Sequence, residues 1–331
     1  MNGRGTQQAD AAFLDIDSAA EIDRIAVAMR SQLRAMKKRG LILGLSGGID
    51  SSVCATLAVK AVGAKNVLAL LMPEQDSESD SGRLGRLVAD RLGIEYVEED
   101  IAPTLAALGC YARRDAFIRQ VVPDYGPGWR SKVVIAELAS HDGFRLSSLV
   151  VEDPDGNKET HRLSLSAYLG IVAATSMKQR TRKLIEYYHA DRLNFAVLGT
   201  PNRLEFDQGF FVKNGDGAAD LKPIAHLYKT QVYALAASLG IPDEIQRRPP
   251  TTDTYSLSQT QEEFYFSLPY AQMDICLFGL NNGLSADSVG FAAGLAPEQV
   301  ERVWRDIRSK RKTTAYLHSK AQLAGEVPEV S

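Results

Sequence analysis

The segment Ser46-Gly47-Gly48-Ile49-Asp50-Ser51-Ser52 concentrates more chemistry than any other stretch of the chain. Its glycines let a backbone approach a bound group closely. Its serine hydroxyls add donors. A loop of this kind, opening a helix, presents N–H groups that favour a phosphate or pyrophosphate. Asp50 cannot hold an anion directly. It suits Mg²⁺, which is usually bound by one or two carboxylates plus phosphate oxygens. The spacing is not GxxxxGK[ST], so this is no Walker A loop. A tight turn with a Ser/Asp helix cap is the plainer reading, and the strand–loop–helix setting favours the phosphate site.

Further residues fit the same chemistry. Thr200 ends an apolar run, the place where ligands gather in open α/β sheets. Glu205 follows and could be a second Mg²⁺ carboxylate. Lys213, Asp216 and Asp220 lie in a Gly-rich loop, with a charge for a phosphate or carboxylate and acceptors for ribose or base groups. Lys229 could counter the charge that builds on a leaving pyrophosphate. Thr251 or Thr252, in a Pro-rich loop, could do so from a lid that excludes water. Arg180 and Arg182, two apart on a helix, cannot share one face. The aromatic run Phe264, Tyr265, Phe266 and Tyr270 reads as core or interface rather than ligand contact. Lys310, Arg311 and Lys312 read as a solvated basic face. Cys54 reads as a small buried hydrophobe rather than a reactive thiol. The histidines do not cluster, and no Ser/His/Asp arrangement is visible.

These residues need a scaffold, and the pattern supplies one. Residues 40–45 form an apolar run before the glycine loop. Residues 50–63 read as a helix stopped by Gly63, and VLALLMP as a buried strand. Residues 79–93 read as a second helix, EYVEED as a third strand, and 102–111 as a helix. This rhythm predicts an α/β fold with a doubly wound, mostly parallel sheet flanked by helices. Ser18 with Glu21 suggests a capping box for a helix over 18–38. Residues 115–165 break the rhythm and read as an insertion, with a β-hairpin turning at Asp155-Gly156. A long helix over 167–190 and the strand NFAVLGT restore it. Residues 226–240 are helical, and 258–331 form a C-terminal helical region interrupted at Pro269. The whole of 1–331 reads as a single domain.

The chain has 331 residues and a formal net charge of −3. That balance argues against a dedicated nucleic-acid binder, which usually carries a basic excess. Three scattered cysteines give no zinc or disulfide pattern. No apolar leader and no run of about 18 apolar residues occurs. A cytoplasmic protein without membrane or nucleic-acid partners is expected.

SGGIDSS resembles the signature of the N-type ATP pyrophosphatases, which cleave ATP to AMP and pyrophosphate. Within them, VLGTPNRLEF (197–206), GFFVKNGDGAADLKPI (209–224), LYKTQV (227–232), PPTTD (249–253) and QTQEE (259–263) resemble the NAD synthetase family, in that family's order. SKRKTT (309–314) resembles its basic C-terminal segment. The resemblance implies an adenine nucleotide alpha hydrolase-like fold and an ATP- and Mg²⁺-dependent ligase. Such an enzyme adenylates a carboxylate, most simply deamido-NAD, and amidates it with ammonia. It implies ATP contacts from Ser46, Gly47, Gly48, Asp50, Ser51, Ser52, Thr200, Lys229 and Thr251, with Asp50, Lys229 and Thr251 catalytic. It implies Mg²⁺ on Asp50 and Glu205, and acid-substrate contacts from Arg180, Lys213, Asp216 and Asp220. It implies a homodimer with substrate sites at the interface. A separate glutaminase partner could deliver the ammonia.

Three positions are built differently. Val172 and Ser176 stand where the family has a ring-stacking phenylalanine and an asparagine, and Val212 where threonine is usual. Alternative functions are therefore the same chemistry on another carboxylate, such as a sugar acid, or nucleotide binding without catalysis. The acidic balance lowers tRNA modification, a further activity of the superfamily.

Overall fold

The computed structural model describes residues 14–135, 147–251, 254–266 and 268–328. The first half builds α1 (Ser18–Ala35), β1 (Leu41–Gly44), α2 (Ile49–Val62), β2 (Val67–Leu71), α3 (Ser79–Leu92), β3 (Glu95–Glu98), α4 (Ala102–Ala107) and α5 (Cys110–Arg119). Then come β4 (Arg130–Ile135), β5 (Ser147–Glu152), β6 (Lys158–Arg162), α6 (Leu165–Leu193), β7 (Ala196–Val197) and α7 (Arg203–Gln208). The chain ends with α8 (Lys229–Ser238), α9 (Asp243–Gln246), α10 (Tyr270–Asn282), α11 (Ala286–Ala293) and α12 (Pro297–His318).

The main sheet has the order β3-β2-β1-β7, and every pairing is parallel. Its strands are nearly all apolar because helices cover both faces. Alternation divides their side chains. Leu41, Leu43 and Ala69 pack with α1, α2 and α8, while Ile42, Leu68 and Leu70 pack towards α4, α5 and α6. The chain winds outward from β1 to β3, then returns to the other flank of β1 through β7. Ligands bind in such sheets where the winding reverses, outside the carboxyl ends of the strands. Here that place lies between the β1–α2 loop and the end of β7.

The expected α/β architecture is present, and its differences from expectation are local. α1 is capped by Asp17, whose side chain accepts from Ala20 N at 3.0 Å, rather than by Ser18. Glu21 pairs with Arg24 and His226 instead. The helix expected over 102–111 is two helices, because Gly109 has φ of 72° and breaks the ladder. The hairpin turns at Gly156, with φ of 88°, but it has a third strand. β4 pairs antiparallel with β5, from Arg130↔Glu152 to Ile135↔Ser147. The segment before Pro269 holds a short π-helical turn (Glu262–Phe266) rather than regular α-helix.

α10, α11 and α12 share their own apolar cluster around Met273, Val289, Val303 and Ile307. Asp274 joins this cluster to the sheet domain. Its fully buried carboxylate accepts from Lys229 N at 3.2 Å and Thr230 N at 2.7 Å, capping the start of α8. Those N–H groups have no intrahelical partner, so the carboxylate satisfies them from a neighbouring helix. Burial is nevertheless the dominant effect, and it pushes this carboxyl up to about 6 from its ordinary 3.8.

The linkage is directional. Between about pH 4 and 6 the unfolded chain releases this proton while the folded chain keeps it, so Asp274 makes stability fall as pH rises. Above pH 6 both states are ionised and the loss is constant. Asp274→Asn removes this slope. Urea midpoints measured from pH 4 to 7 should show the variant gaining on the wild type through that window and levelling off above it.

Candidate active site

A cavity of about 980 Å³ opens beyond the carboxyl ends of β1, β2 and β7. That is the upper end of the roughly 300–1,000 Å³ usual for small-molecule sites. α6 forms one flank from Tyr168 to Glu186, about 27 Å of helix at 1.5 Å per residue. The cavity is therefore long enough for an extended nucleotide beside a second substrate.

The glycine loop forms one end. Gly48 is the N-cap of α2 and leaves its first turn without a side-chain cap. The free N–H groups of that turn, with the positive end of the helix, suit an anion. Ser46 Oγ accepts from Gly48 N at 3.3 Å and lies 3.2 Å from Ser51 Oγ. Gly47 shapes the turn from behind. Its φ is 72°, and a Cβ there would lie 2.9 Å from Gly85 N. Ser52 is fully buried and donates to Gly48 O at 2.8 Å. Ser46, Gly48, Asp50 and Ser51 line the cavity, whereas Gly47 and Ser52 hold the loop's form.

Behind this loop lies a cluster of charges. Lys229 Nζ, fully buried at the start of α8, donates to Asp50 Oδ2. Asn202 Nδ2 donates to Asp50 Oδ1 at 3.2 Å. Asn202 also caps α7: Glu205 N donates to its Oδ1 at 3.2 Å, and its own N donates to Glu205 Oε2 at 3.0 Å. One asparagine thus fixes both carboxylates. Burial first, and then the neighbouring charge of Asp50, hold Glu205's carboxyl well above the ordinary carboxylate range. Burial opposes the charge of Lys229 most strongly, yet Asp50 and Glu205 outweigh it and keep the ammonium firmly protonated. The same burial makes Cys54 an inert core thiol, raised well above its usual range.

This donor set fits a divalent cation shared with a phosphate. Two carboxylates face the cavity, and one lysine cannot neutralise both. Among the described residues no group of three His, Cys, Asp or Glu side chains could cage a metal alone. Mg²⁺ characteristically takes one or two carboxylates and completes its shell with water and phosphate oxygens.

The other expected residues divide. Thr200, Thr251, Arg180, Lys213 and Asp216 line the cavity. Thr251 is fixed by an antiparallel bridge to Thr260, and Thr252 lies outside the described residues. Arg180 Nε donates to Lys213 O at 3.3 Å. Lys213 Nζ donates to Tyr316 O at 2.6 Å and Ser319 O at 3.3 Å, so its charge closes the end of α12. Asp216 accepts from Val212 N at 2.7 Å, and burial raises its carboxyl. Asp220 is not brought to the cavity wall. It is exposed and accepts from Val197 N at 2.7 Å, holding the Gly-rich loop against β7. Lys229 also does not line the cavity, because it sits behind Asp50.

Two expectations about side-chain surroundings are corrected. Phe266 and Tyr270 are core, but Phe264 and Tyr265 line the cavity. Lys310 is not solvated. It is buried, donating to Tyr265 O at 2.6 Å and Gln208 Oε1 at 3.2 Å, while Arg311 grips Asp207. Several residues had not been singled out. The buried pair Lys183–Glu186 (2.6 Å) lines the cavity beside Gly44, and Arg248 lines it while paired with Glu78. Asn202 carried a readable signal, since an Asn three residues before a Glu is a capping-box pattern.

Comparison with known proteins accords with this geometry. Residues 21–121 and 159–315 match the NAD synthase family profile. An NH(3)-dependent NAD(+) synthetase of Rhizobium meliloti is 72% identical over 317 residues, covering 96% of this chain and 95% of that protein. One from Thermotoga maritima is 32% identical, covering 86% of this chain and 93% of its own. Among solved structures, NAD+ synthetase from Burkholderia pseudomallei has a TM-score of 0.55 at 25% identity, covering 92% and 94% of the two chains. NMN synthetase from Francisella tularensis has a TM-score of 0.64 over 94% of this chain and 100% of that one, and at 22% identity it shows the fold alone. The matched segments contain the glycine loop and the whole Asp50–Lys229–Asn202–Glu205 cluster, and the chain belongs to the NAD synthase family.

Proposed function

We propose that this chain amidates deamido-NAD to NAD with ammonia, cleaving ATP to AMP and pyrophosphate. The observation that carries the reading is the pairing of an uncapped helix start with a carboxylate pair that one lysine cannot neutralise. The 72% identity to an NH(3)-dependent NAD(+) synthetase supports it.

The chemistry follows from where charge moves. A carboxylate oxygen of the acid attacks the α-phosphorus of ATP, the bond to the β-phosphate oxygen breaks, and pyrophosphate leaves. The first turn of α2, with Ser46 and Ser51, receives that anion. Asp50 and Glu205 would hold a Mg²⁺ ion, which when bound supplies positive charge to the phosphates. Lys229 acts through Asp50, fixing its orientation from behind. Ammonia then attacks the acyl carbon, the bond to AMP breaks, and the proton shed by nitrogen passes to solvent. Thr251, on the segment over the cavity, helps to keep water from the adenylate. We read residues 115–165 as an insertion on a single catalytic domain, and the protein as cytoplasmic. Arg180, Lys213 and Asp216 serve the acid half.

A homodimer completes the reading. On α6, Leu165, Leu169, Leu184 and Tyr188 are 73%, 54%, 66% and 61% exposed. At 3.6 residues per turn they fall within one arc of about 140°. That side of α6 carries two exposed apolar pairs, with exposed Arg180 between them, and fits a protein partner better than water. It lies next to the face that lines the cavity, so a second copy would stand beside the substrates.

Two outcomes are expected. With ATP, Mg²⁺, deamido-NAD and ammonia, the protein forms AMP and NAD in equal amounts, and Asp50→Ala lowers the rate at least about 100-fold. ADP in place of AMP would contradict the mechanism. In size-exclusion chromatography with light scattering, the wild type has twice the chain mass, and Leu169→Glu shifts it towards one.

A further inference from the structure

Lys213 lines the cavity, yet its ammonium is spent on the chain itself. Nζ donates to Tyr316 O at 2.6 Å, and to Ser319 O and Ser319 Oγ, both at 3.3 Å. It also lies 5.4 Å over the Tyr316 ring. These groups belong to the last turn of α12 and to its C-cap. The final carbonyls of a helix have no intrahelical partner, and the helix dipole places partial negative charge there. Lys213 is therefore the cap of this helix end.

Every acceptor in the cap is neutral. Among the described residues Lys213 makes no ion pair, and neither does Arg180, whose Nε donates to Lys213 O at 3.3 Å. Two cations thus stand together on the cavity wall without a carboxylate between them. An anionic group bonds an ammonium more strongly than a neutral carbonyl does. The cap can also open without moving the helix. Other bonds fix the body of α12: Arg311 to Asp207 at 2.6 Å, Lys310 to Gln208 Oε1 at 3.2 Å and Thr314 Oγ1 to Gln208 O at 3.4 Å. His318 lies edge-on to Phe206 and Phe211. Beyond it, residues 319–328 are exposed.

We propose that the C-terminal end of α12 is an internal competitor for the acid substrate. Its oxygens and an anionic group of the dinucleotide take the Lys213 ammonium in turn, so binding the acid uncaps the helix. Ser319 does not line the cavity. It is a positioning residue that sets affinity for the acid through Lys213. This rests on the functional reading above, in which Lys213 serves the acid half.

The test compares steady-state kinetics of wild type, Ser319→Asp and Ser319→Asn, each also made with Lys213→Met, measuring KM separately for deamido-NAD and ATP. Aspartate gives Lys213 a charged acceptor and strengthens the competitor. KM for deamido-NAD should rise about three- to fivefold, the upper range for a partly exposed ion pair. KM for ATP and kcat should stay within about twofold, as should every constant of Ser319→Asn, which has the shape without the charge. With Lys213→Met, adding Ser319→Asp should change KM no further. A rise that persists there is plain repulsion of the substrate and overturns the proposal, as does an unchanged KM in Ser319→Asp or a rise shared equally by ATP. In the wild type, amide hydrogen exchange over residues 316–320 should quicken when deamido-NAD saturates, and unchanged or slower exchange overturns the displacement. If the wild type makes no NAD from deamido-NAD, the functional reading fails and this inference falls with it. If it does and only the Ser319→Asp response is missing, this inference alone fails.

Discussion

Two carboxylates and one ammonium meet where three chain segments converge at the head of the sheet. Asp50 comes from the first turn of α2, Glu205 from α7 and Lys229 from the start of α8. In a poorly hydrated site the charges cannot be left to water. Lys229 answers Asp50 and is itself fully buried. Glu205's carboxyl resists ionisation because it is buried and faces the charge of Asp50, and Lys229 offsets this only in part. Asn202 sits between the carboxylates, its side-chain amide donating to Asp50 and its backbone N–H to Glu205. The cluster is stable only with its neighbours in register, so it ties the positions of α2, α7 and α8 to one another. α10 extends the same constraint through Asp274, which caps α8 beside the lysine.

This arrangement places function at the topological switch of the sheet. Strands β1 and β7 end side by side, and the loops after them diverge. The β1 loop offers backbone donors and the uncapped start of α2. The β7 loop leads through Thr200 to Asn202 and Glu205. The long helix α6 then carries the cavity away from the sheet towards the antiparallel strands. Along the way α6 itself contributes Lys183 and Glu186 near the sheet and Tyr168 at the other end of the cavity.

Local chemistry was legible in the sequence, and long-range partnership was not. The glycine loop, the helix stop at Gly63 and the hairpin turn at Gly156 follow from backbone preferences of a few residues. β4 was missed because its pairing with β5 depends on residues beyond an intervening stretch, not on a turn signal of its own. Asn202 was passed over although its capping pattern is local, since its bond to Asp50 spans 152 positions. Lys310 lies in a run of basic residues that composition assigns to water, yet the fold surrounds it with Gln208, Tyr265 and Asp306. Asp220 shows the converse. It reads as an acceptor for ribose or base groups, and in the fold it accepts from Val197 N and holds β7.

The central claim is that the acid's carboxylate oxygen attacks the α-phosphorus of ATP over the Asp50–Glu205 pair. Deamido-NAD labelled with ¹⁸O in its carboxylate tests this most directly, with products separated by mass spectrometry after amidation. One labelled oxygen should appear in AMP and none in pyrophosphate. Label in inorganic phosphate or pyrophosphate, or unlabelled AMP beside labelled water, would contradict it.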